Sequence, residues 1–252
     1  MSLLEVSEVS VRFGGIVALD GLSFDIDDGQ ICGLIGPNGA GKTTMFNVVS
    51  RIYQPTTGSV RFRGNDLLQV PAHGIARLGI ARTFQNLALF GGLSVLENLL
   101  VGTYLQGKSG LLQGALLSRA ARRERAEGVA AAHQVLNYLG LTDSADLLPG
   151  ELPYGRQKQL EFGRALMQKA RLILLDEPMA GMSQAEKQAM TQLILRVRAE
   201  MGVSFLLVEH DVPVIMEISD HIVVLDFGRK IAEGNPAAVQ VNPDVIAAYL
   251  GQ

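Results

Sequence analysis

Three clusters of residues in this chain have the types and spacing to do chemistry together. The first, Gly36-Pro37-Asn38-Gly39-Ala40-Gly41-Lys42-Thr43-Thr44, fits the phosphate-binding pattern G-x-x-x-x-G-K-[ST]. Its glycines let the backbone curl until successive N–H groups point inward, a concavity that suits anions. Lys42 can reach β- and γ-phosphates, and the Thr43 hydroxyl is of the kind that ligates Mg²⁺. The second cluster is Asp176-Glu177-Pro178, closing the apolar run Leu172-Ile173-Leu174-Leu175. There Asp176 reads as the metal-side carboxylate, and Glu177 could polarise an attacking water. The third is Glu209-His210-Asp211, which follows a strand-like run from Val203 to Val208 and sets His210 where a γ-phosphate contact is needed. The chemistry is that of a nucleoside triphosphate.

Positioning these groups requires strands that end at one edge of a sheet. Ile31 to Ile35 reads as a short buried strand, and Met45, Val48 and Val49 give the helix after Thr44 its apolar spacing. That helix directs its positive N-terminal end at the same spot. Carboxylates at the C-terminal edge of a parallel strand lie where open α/β sheets bind ligands. Upstream, Val9, Val11 and Phe13 alternate with Ser10 and Arg12, and Asp27-Asp28-Gly29 is a turn signal. Phe13 is either an adenine-stacking ring or an ordinary core aromatic, and the spacing alone favours the core. Gln85, after the strand-like Ala81-Arg82-Thr83-Phe84, either reaches Mg²⁺ or the attacking water, or is polar surface. Ser94-Val95-Leu96-Glu97 predicts a capping box and a helix start. Val129, Ala132, Val135, Leu136 and Leu139 form a helical stripe ended by Gly140, and the charged run around Arg119–Arg125 reads as a solvated helix face. Residues 86–158 therefore read as a helical insert between 1–85 and 159–252 of a single domain covering 1–252. The last strand is expected at Ile222 to Leu225, before the turn Asp226-Phe227-Gly228, with no second domain after it.

Composition narrows the function classes. The 252 residues are 48% hydrophobic and 19% charged, as in a soluble protein with a sizeable core. A formal net charge of -3 argues against a nucleic-acid partner held through phosphates. The lone Cys32 precludes an internal disulfide, and its apolar neighbours predict a buried, inert thiol. The Met1-Ser2-Leu3-Leu4-Glu5 start lacks signal-peptide character, and no apolar run reaches the ~18 residues that span a bilayer. A cytoplasmic chain, touching the membrane only through partners, is the expectation.

Taken in order, these pieces resemble the ATP-binding subunit of an ABC transporter. Gly36–Thr43 matches Walker A, Gln85 the Q-loop, Leu172–Asp176 Walker B, Glu177 the catalytic glutamate and His210 the switch histidine. Leu152-Pro153-Tyr154-Gly155-Arg156-Gln157 stands at the signature. The resemblance implies an α/β P-loop NTPase core with a small antiparallel β subdomain and an inserted α-helical subdomain. It further implies that two such domains, identical or not, pack head to tail with ATP and Mg²⁺ between them. Each ATP would lie on the P-loop of one chain and under Tyr154-Gly155 of the other, with Phe13 on its adenine. Glu177 would be general base, with His210 holding the γ-phosphate and Gln85, Thr43 and Asp176 on the metal. Pro153 stands in place of the signature serine, and Ser183 in place of an aspartate common in the Ala180–Ser183 loop. Arg12-Phe13-Gly14-Gly15, Arg82-Thr83-Phe84-Gln85, the long 103–130 insert and the Asn242–Gly251 ending look like the ATPase of high-affinity branched-chain amino acid uptake systems. Relatives that import urea or short amides share much of this set, as does a lipopolysaccharide-export ATPase. An ABC protein acting on nucleic acid or ribosomes is the remaining alternative. The implied partners are two membrane permease subunits and, indirectly, a periplasmic or extracellular binding protein, with the chain on the inner face of the membrane.

Overall fold

The computed structural model describes residues 2–83, 87–104 and 119–250. Phe84, Gln85 and residues 105–118 of the 103–130 insert lie outside the described residues.

Two sheets frame the molecule. The antiparallel sheet runs β2-β1-β4-β5, from β1 (Ser2–Phe13), β2 (Ile16–Asp27), β4 (Thr57–Phe62) and β5 (Asn65–Asp66). The larger sheet runs β10-β9-β3-β8-β7-β6. Its members are β3 (Ile31–Ile35), β6 (Ile80–Arg82), β7 (Leu172–Asp176), β8 (Ser204–Val208), β9 (His221–Asp226) and β10 (Arg229–Gly234). All pairings within it are parallel except β10 on β9. Strands β3, β7 and β8 are buried at every position, so both faces must be apolar and the sequence shows unbroken runs rather than alternation.

The period of two still governs where those side chains go. Ile31, Ile35, Ile173, Leu175, Phe205 and Leu207 point into one core. That core also holds Leu99 of α3 (Val95–Tyr104), Leu136 of α4 (Arg119–Leu139), Phe162 of α5 (Tyr154–Met167) and Ile194 of α6 (Gln184–Met201). Cys32, Leu34, Leu172, Leu174 and Leu206 point into the other core, with the antiparallel sheet and helix α1 (Lys42–Val49). Helix α1 is thus trapped between the two sheets by Met45, Phe46, Val48 and Val49, all fully buried. Burial raises the Cys32 thiol well above its usual range, so it is inert as expected.

The Ser94 capping box is present: Ser94 Oγ accepts from Glu97 N at 3.2 Å, and Glu97 Oε2 accepts from Ser94 N at 2.8 Å. Helix α4 ends at Gly140, whose φ of 66° is the left-handed stop. On its surface Arg122, Arg123 and Arg125 are exposed. Helices α3 and α5 meet closely at Gly102, where a Cβ would stand 2.6 Å from the Arg164 carbonyl oxygen.

One sequence expectation is corrected. The run from Ile222 to Leu225 is not the last strand: a further strand, β10, pairs antiparallel with β9 across the Asp226-Phe227-Gly228 turn. Helices α8 (Pro236–Gln240) and α9 (Pro243–Leu250) follow, after α7 (Val212–Ile218) earlier in the chain. Strand β10, at the sheet edge, buries only Ala232 fully, so its period-2 signal is too weak to stand out.

Phe162 stacks on Phe205 at a 6.2 Å ring separation, and both are almost wholly buried. Phe162→Ala should cost about 3–5 kcal/mol, whereas Phe227→Ala, at a ring 84% exposed, should stay within about 0.5 kcal/mol. Urea denaturation of the two variants measures the contrast.

Candidate active site

The phosphate-binding loop is held from outside before any ligand arrives. Strand β3 delivers the chain to Gly36, whose φ is 149° and where a Cβ would lie 2.1 Å from the Leu225 carbonyl oxygen. At Gly41, with φ 105°, a Cβ would meet the Ala18 carbonyl at 2.6 Å. Only glycine fits either position. The β9–β10 turn clamps the loop: Gly228 N donates to Ala40 O at 3.0 Å, and Asp20 N donates to Gly228 O at 2.9 Å. Helix α1 starts at Lys42, so its N-terminus opens onto the loop.

Lys42 is the buried cation at the centre. It is 6% exposed, and its ammonium donates to the carbonyls of Gly36 at 2.6 Å and Pro37 at 2.9 Å. Loss of solvent pulls its pKa below the usual lysine range, and the nearby charges of Glu177 and Asp176 oppose that shift. A desolvated ammonium in a glycine-lined cradle at a helix N-terminus fits a polyphosphate. The hydroxyl of Thr43 and the carboxylate of Asp176 are hard oxygen donors of the kind Mg²⁺ takes. The residues present fit both groups.

Asp176 ends β7, is 4% exposed and bonds Arg82 Nη2 through Oδ2 at 2.9 Å. The chain then turns sharply. Glu177 has φ 49°, an uncommon conformation for a non-glycine residue, and its N–H donates to Val208 O at 2.9 Å. Its side chain meets His210, with Glu177 Oε1 2.7 Å from His210 Nε2. Behind this pair, buried Glu209 accepts from Met179 N at 2.7 Å through Oε1 and from His210 N at 3.2 Å through Oε2. Desolvation raises the Glu209 pKa, partly offset by those N–H donors. Glu209 thereby ties the histidine loop to the segment after Glu177.

Phe13 closes β1 at 45% exposure and meets Tyr53 edge-on, rings 5.0 Å apart, so it is not a core aromatic. Tyr154 and Gly155 begin α5 against a different set of neighbours. A Cβ on Gly155 would stand 2.3 Å from Glu186 Oε1, and one on Gly181 would stand 3.2 Å from the Tyr154 ring. Ser183 N-caps α6 in a capping box with Glu186, a local role that needs no aspartate.

Lys42, Asp176, Glu177 and His210 therefore converge, whereas Tyr154 and Gly155 face Gly181 and Glu186 of their own chain. Gln85 lies outside the described residues. Sequence reasoning quoted Glu209 and Arg82 at their strand ends but gave neither a role in the site. Their signal was a charged residue at the end of an apolar strand, easily taken for surface.

A P-loop after a parallel strand, with carboxylates and a histidine on the neighbouring strand ends, defines the nucleotide-hydrolysing cassette class. Comparison with known proteins agrees. The ABC transporter family model matches residues 19–180, and one described as branched-chain amino acid ATP-binding cassette transporter matches 229–252. The chain is 43% identical over 250 residues to the high-affinity branched-chain amino acid transport ATP-binding protein BraF of Pseudomonas aeruginosa, covering 99% of this chain and 98% of that one. It is 40% identical, with the same coverage, to LivG of Escherichia coli strain K12, which bears the same description. A crystal structure of a nucleotide-free ATP-binding cassette from an ABC transporter superposes with TM-score 0.87 at 32% identity, covering all of both chains. The ADP conformation of an ATP-binding cassette does so with TM-score 0.87 at 33% identity over the same full coverage. This chain belongs to the ABC transporter family.

Glu177→Gln is expected to abolish ATP turnover while ATP binding is retained, and to accumulate a nucleotide-bound dimer. Phosphate release and size exclusion with ATP check this; hydrolysis at the wild-type rate would remove Glu177 from the role of base.

Proposed function

We propose that this chain is the energy-coupling ATPase of an importer for branched-chain amino acids or related small amides. The observation that carries the proposal is the C-terminal segment from Arg229, which matches a model specific to branched-chain amino acid cassettes and builds β10, α8 and α9 here. The relatives are themselves described as high-affinity branched-chain amino acid transport ATP-binding proteins.

In this reading ATP seats its β- and γ-phosphates on the N–H groups of Gly36–Thr44 and on Lys42. The ammonium exchanges the Gly36 and Pro37 carbonyls for phosphate oxygens. Phe13, half exposed beside Tyr53, offers a face to the adenine. Thr43, Asp176 and Gln85 would hold Mg²⁺, which would supply charge neutralisation for the triphosphate. Glu177 accepts the proton of the attacking water, while His210, already within hydrogen-bond reach of Glu177, holds the γ-phosphate. Most of the catalysis is positioning and electrostatics.

Tyr154 and Gly155 complete the site of a second cassette, identical or paired. With Pro153 lacking both hydroxyl and N–H, the contact there rests on backbone N–H groups such as that of Gly155 and on the start of α5. Among the described residues no helix is long and apolar enough to cross a membrane, so two permease subunits would provide the passage. Phe90, Leu147 and Leu148 are exposed near the start of α3, and Val95 N is bonded to Leu147 O at 2.9 Å. That apolar rim supports a permease helix docking along residues 87–100.

Reconstitution tests the proposal. The chain, its partner cassette and the permease subunits in liposomes, with the external binding protein, should show ATP-dependent uptake of labelled leucine, isoleucine or valine. ATP-dependent lipid movement without any amino acid or amide uptake would overturn it.

A further inference from the structure

Arg82 has contacts that neither the phosphate loop nor the hydrolytic pair accounts for. It is the last residue of the three-residue edge strand β6, and its side chain is 11% exposed beside Asp176 at 5%. Its Nη2 donates to Asp176 Oδ2 at 2.9 Å. Its Nη1 donates to Asn47 Oδ1 at 2.7 Å and to Ser50 Oγ at 3.2 Å. The guanidinium lies over the Phe46 ring, 5.6 Å from its centroid. Asn47, Phe46 and Ser50 belong to α1 and its C-terminal cap, the helix that begins at Lys42. One planar fork thus joins α1, the end of β7 and the strand that runs on toward Gln85.

The next residue repeats the connection. Thr83 N donates to Leu174 O at 3.0 Å, and Asp176 N donates to Thr83 Oγ1 at 3.4 Å. The end of β6 therefore grips Asp176 by both its carboxylate and its backbone. A buried ion pair is weak evidence for stability, because desolvation consumes much of the Coulombic gain. What an arginine fork does well is fix an orientation, since its donors are rigid and diverge to separate acceptors. With Oδ2 held by the guanidinium and the backbone N–H held by Thr83, the rotation of the Asp176 carboxylate is constrained from both ends.

We propose that Arg82 is a positioning residue for Asp176: it fixes the carboxylate's orientation, tempers its charge, and makes that orientation depend on where β6 and α1 stand. The proposal rests on Asp176 being the metal-side carboxylate. Two consequences separate positioning from simple packing. Removing a positive charge beside the site weakens binding of metal-free ATP and strengthens the benefit of Mg²⁺, because Asp176 is then uncompensated. Releasing the carboxylate's orientation lowers turnover more than binding.

The test measures ATP affinity in EDTA and in Mg²⁺, together with kcat, KM and melting temperature, for the wild-type chain, Arg82→Gln, Arg82→Lys and the double variant Asn47→Ala/Ser50→Ala. Turnover is assayed with the partner cassette present. For Arg82→Gln the ratio of Kd in EDTA to Kd in Mg²⁺ should rise at least about fivefold, and kcat should fall at least about tenfold, with KM within about threefold. Arg82→Lys restores the charge, so the Kd ratio should return to within about twofold of wild type. Its kcat should stay low, because one ammonium does not span Asp176 and Asn47 as the fork does. Should Arg82→Gln fail to fold, the double variant Asn47→Ala/Ser50→Ala decides: it removes both hydrogen bonds from the fork to α1 and its cap and should lower kcat at least about threefold. A lowered melting temperature with the Kd ratio and kcat unchanged would overturn the role of Arg82, as would an unchanged kcat in Asn47→Ala/Ser50→Ala. Wild-type ATP binding that is indifferent to Mg²⁺ would instead overturn the metal-side reading of Asp176 on which the proposal rests.

Discussion

A desolvated ammonium surrounded by carbonyl oxygens sets the terms for the rest of this structure. Lys42 is 6% exposed and bonded to the loop it belongs to. Burying a lysine charge is expensive unless partners stand close. The partners are the strand ends: Asp176 and Glu177 lie near enough to favour its protonated form. Those carboxylates reach that point because β7 lies two strands from β3 in a parallel sheet, with β8 between them. The same sheet order puts His210, just after β8, beside Glu177. Fold and site are one arrangement here, because parallel strands buried on both faces bring their C-terminal ends, and the polar residues there, to one edge.

Much of that arrangement was legible from residue types. The G-x-x-x-x-G-K-[ST] spacing demands a curled backbone, and Gly36 and Gly41 occupy positions where any Cβ would strike a carbonyl. The apolar runs ending in Asp176-Glu177 and Glu209-His210 announced buried parallel strands with chemistry at their ends. What escaped was of two kinds. Strand β10 hides because an edge strand with a polar face has little hydrophobic period to show. The roles of Arg82 and Glu209 hide because they lie in partners distant in sequence: Arg82 meets Asp176 and Asn47, and Glu209 meets Met179. No local pattern encodes such contacts. Phe13 shows the converse, since spacing alone favours a core aromatic and its exposure decides against that reading.

The loop around Ser183 shows how a departure from a common residue can be absorbed locally. Ser183 and Glu186 satisfy each other as a helix cap, and Glu186 in turn lies against Gly155. The start of α5 and the start of α6 therefore form one unit in the single chain. Lys187 of that unit also pairs with Asp211, beside His210, at 2.5 Å. Under the proposed reading each chain would supply one half of a phosphate-binding surface from the Lys42 side and the other from the start of α5, which is the physical reason for expecting a second cassette.

The most direct test of that account is the ATP hydrolysis rate per chain, followed across concentration while light scattering reports the oligomeric state. If each site is completed by a second chain, monomer will not turn over, and activity will appear only where dimer does, whether with itself or with an added partner cassette. Steady hydrolysis by a chain shown to be monomeric would contradict it.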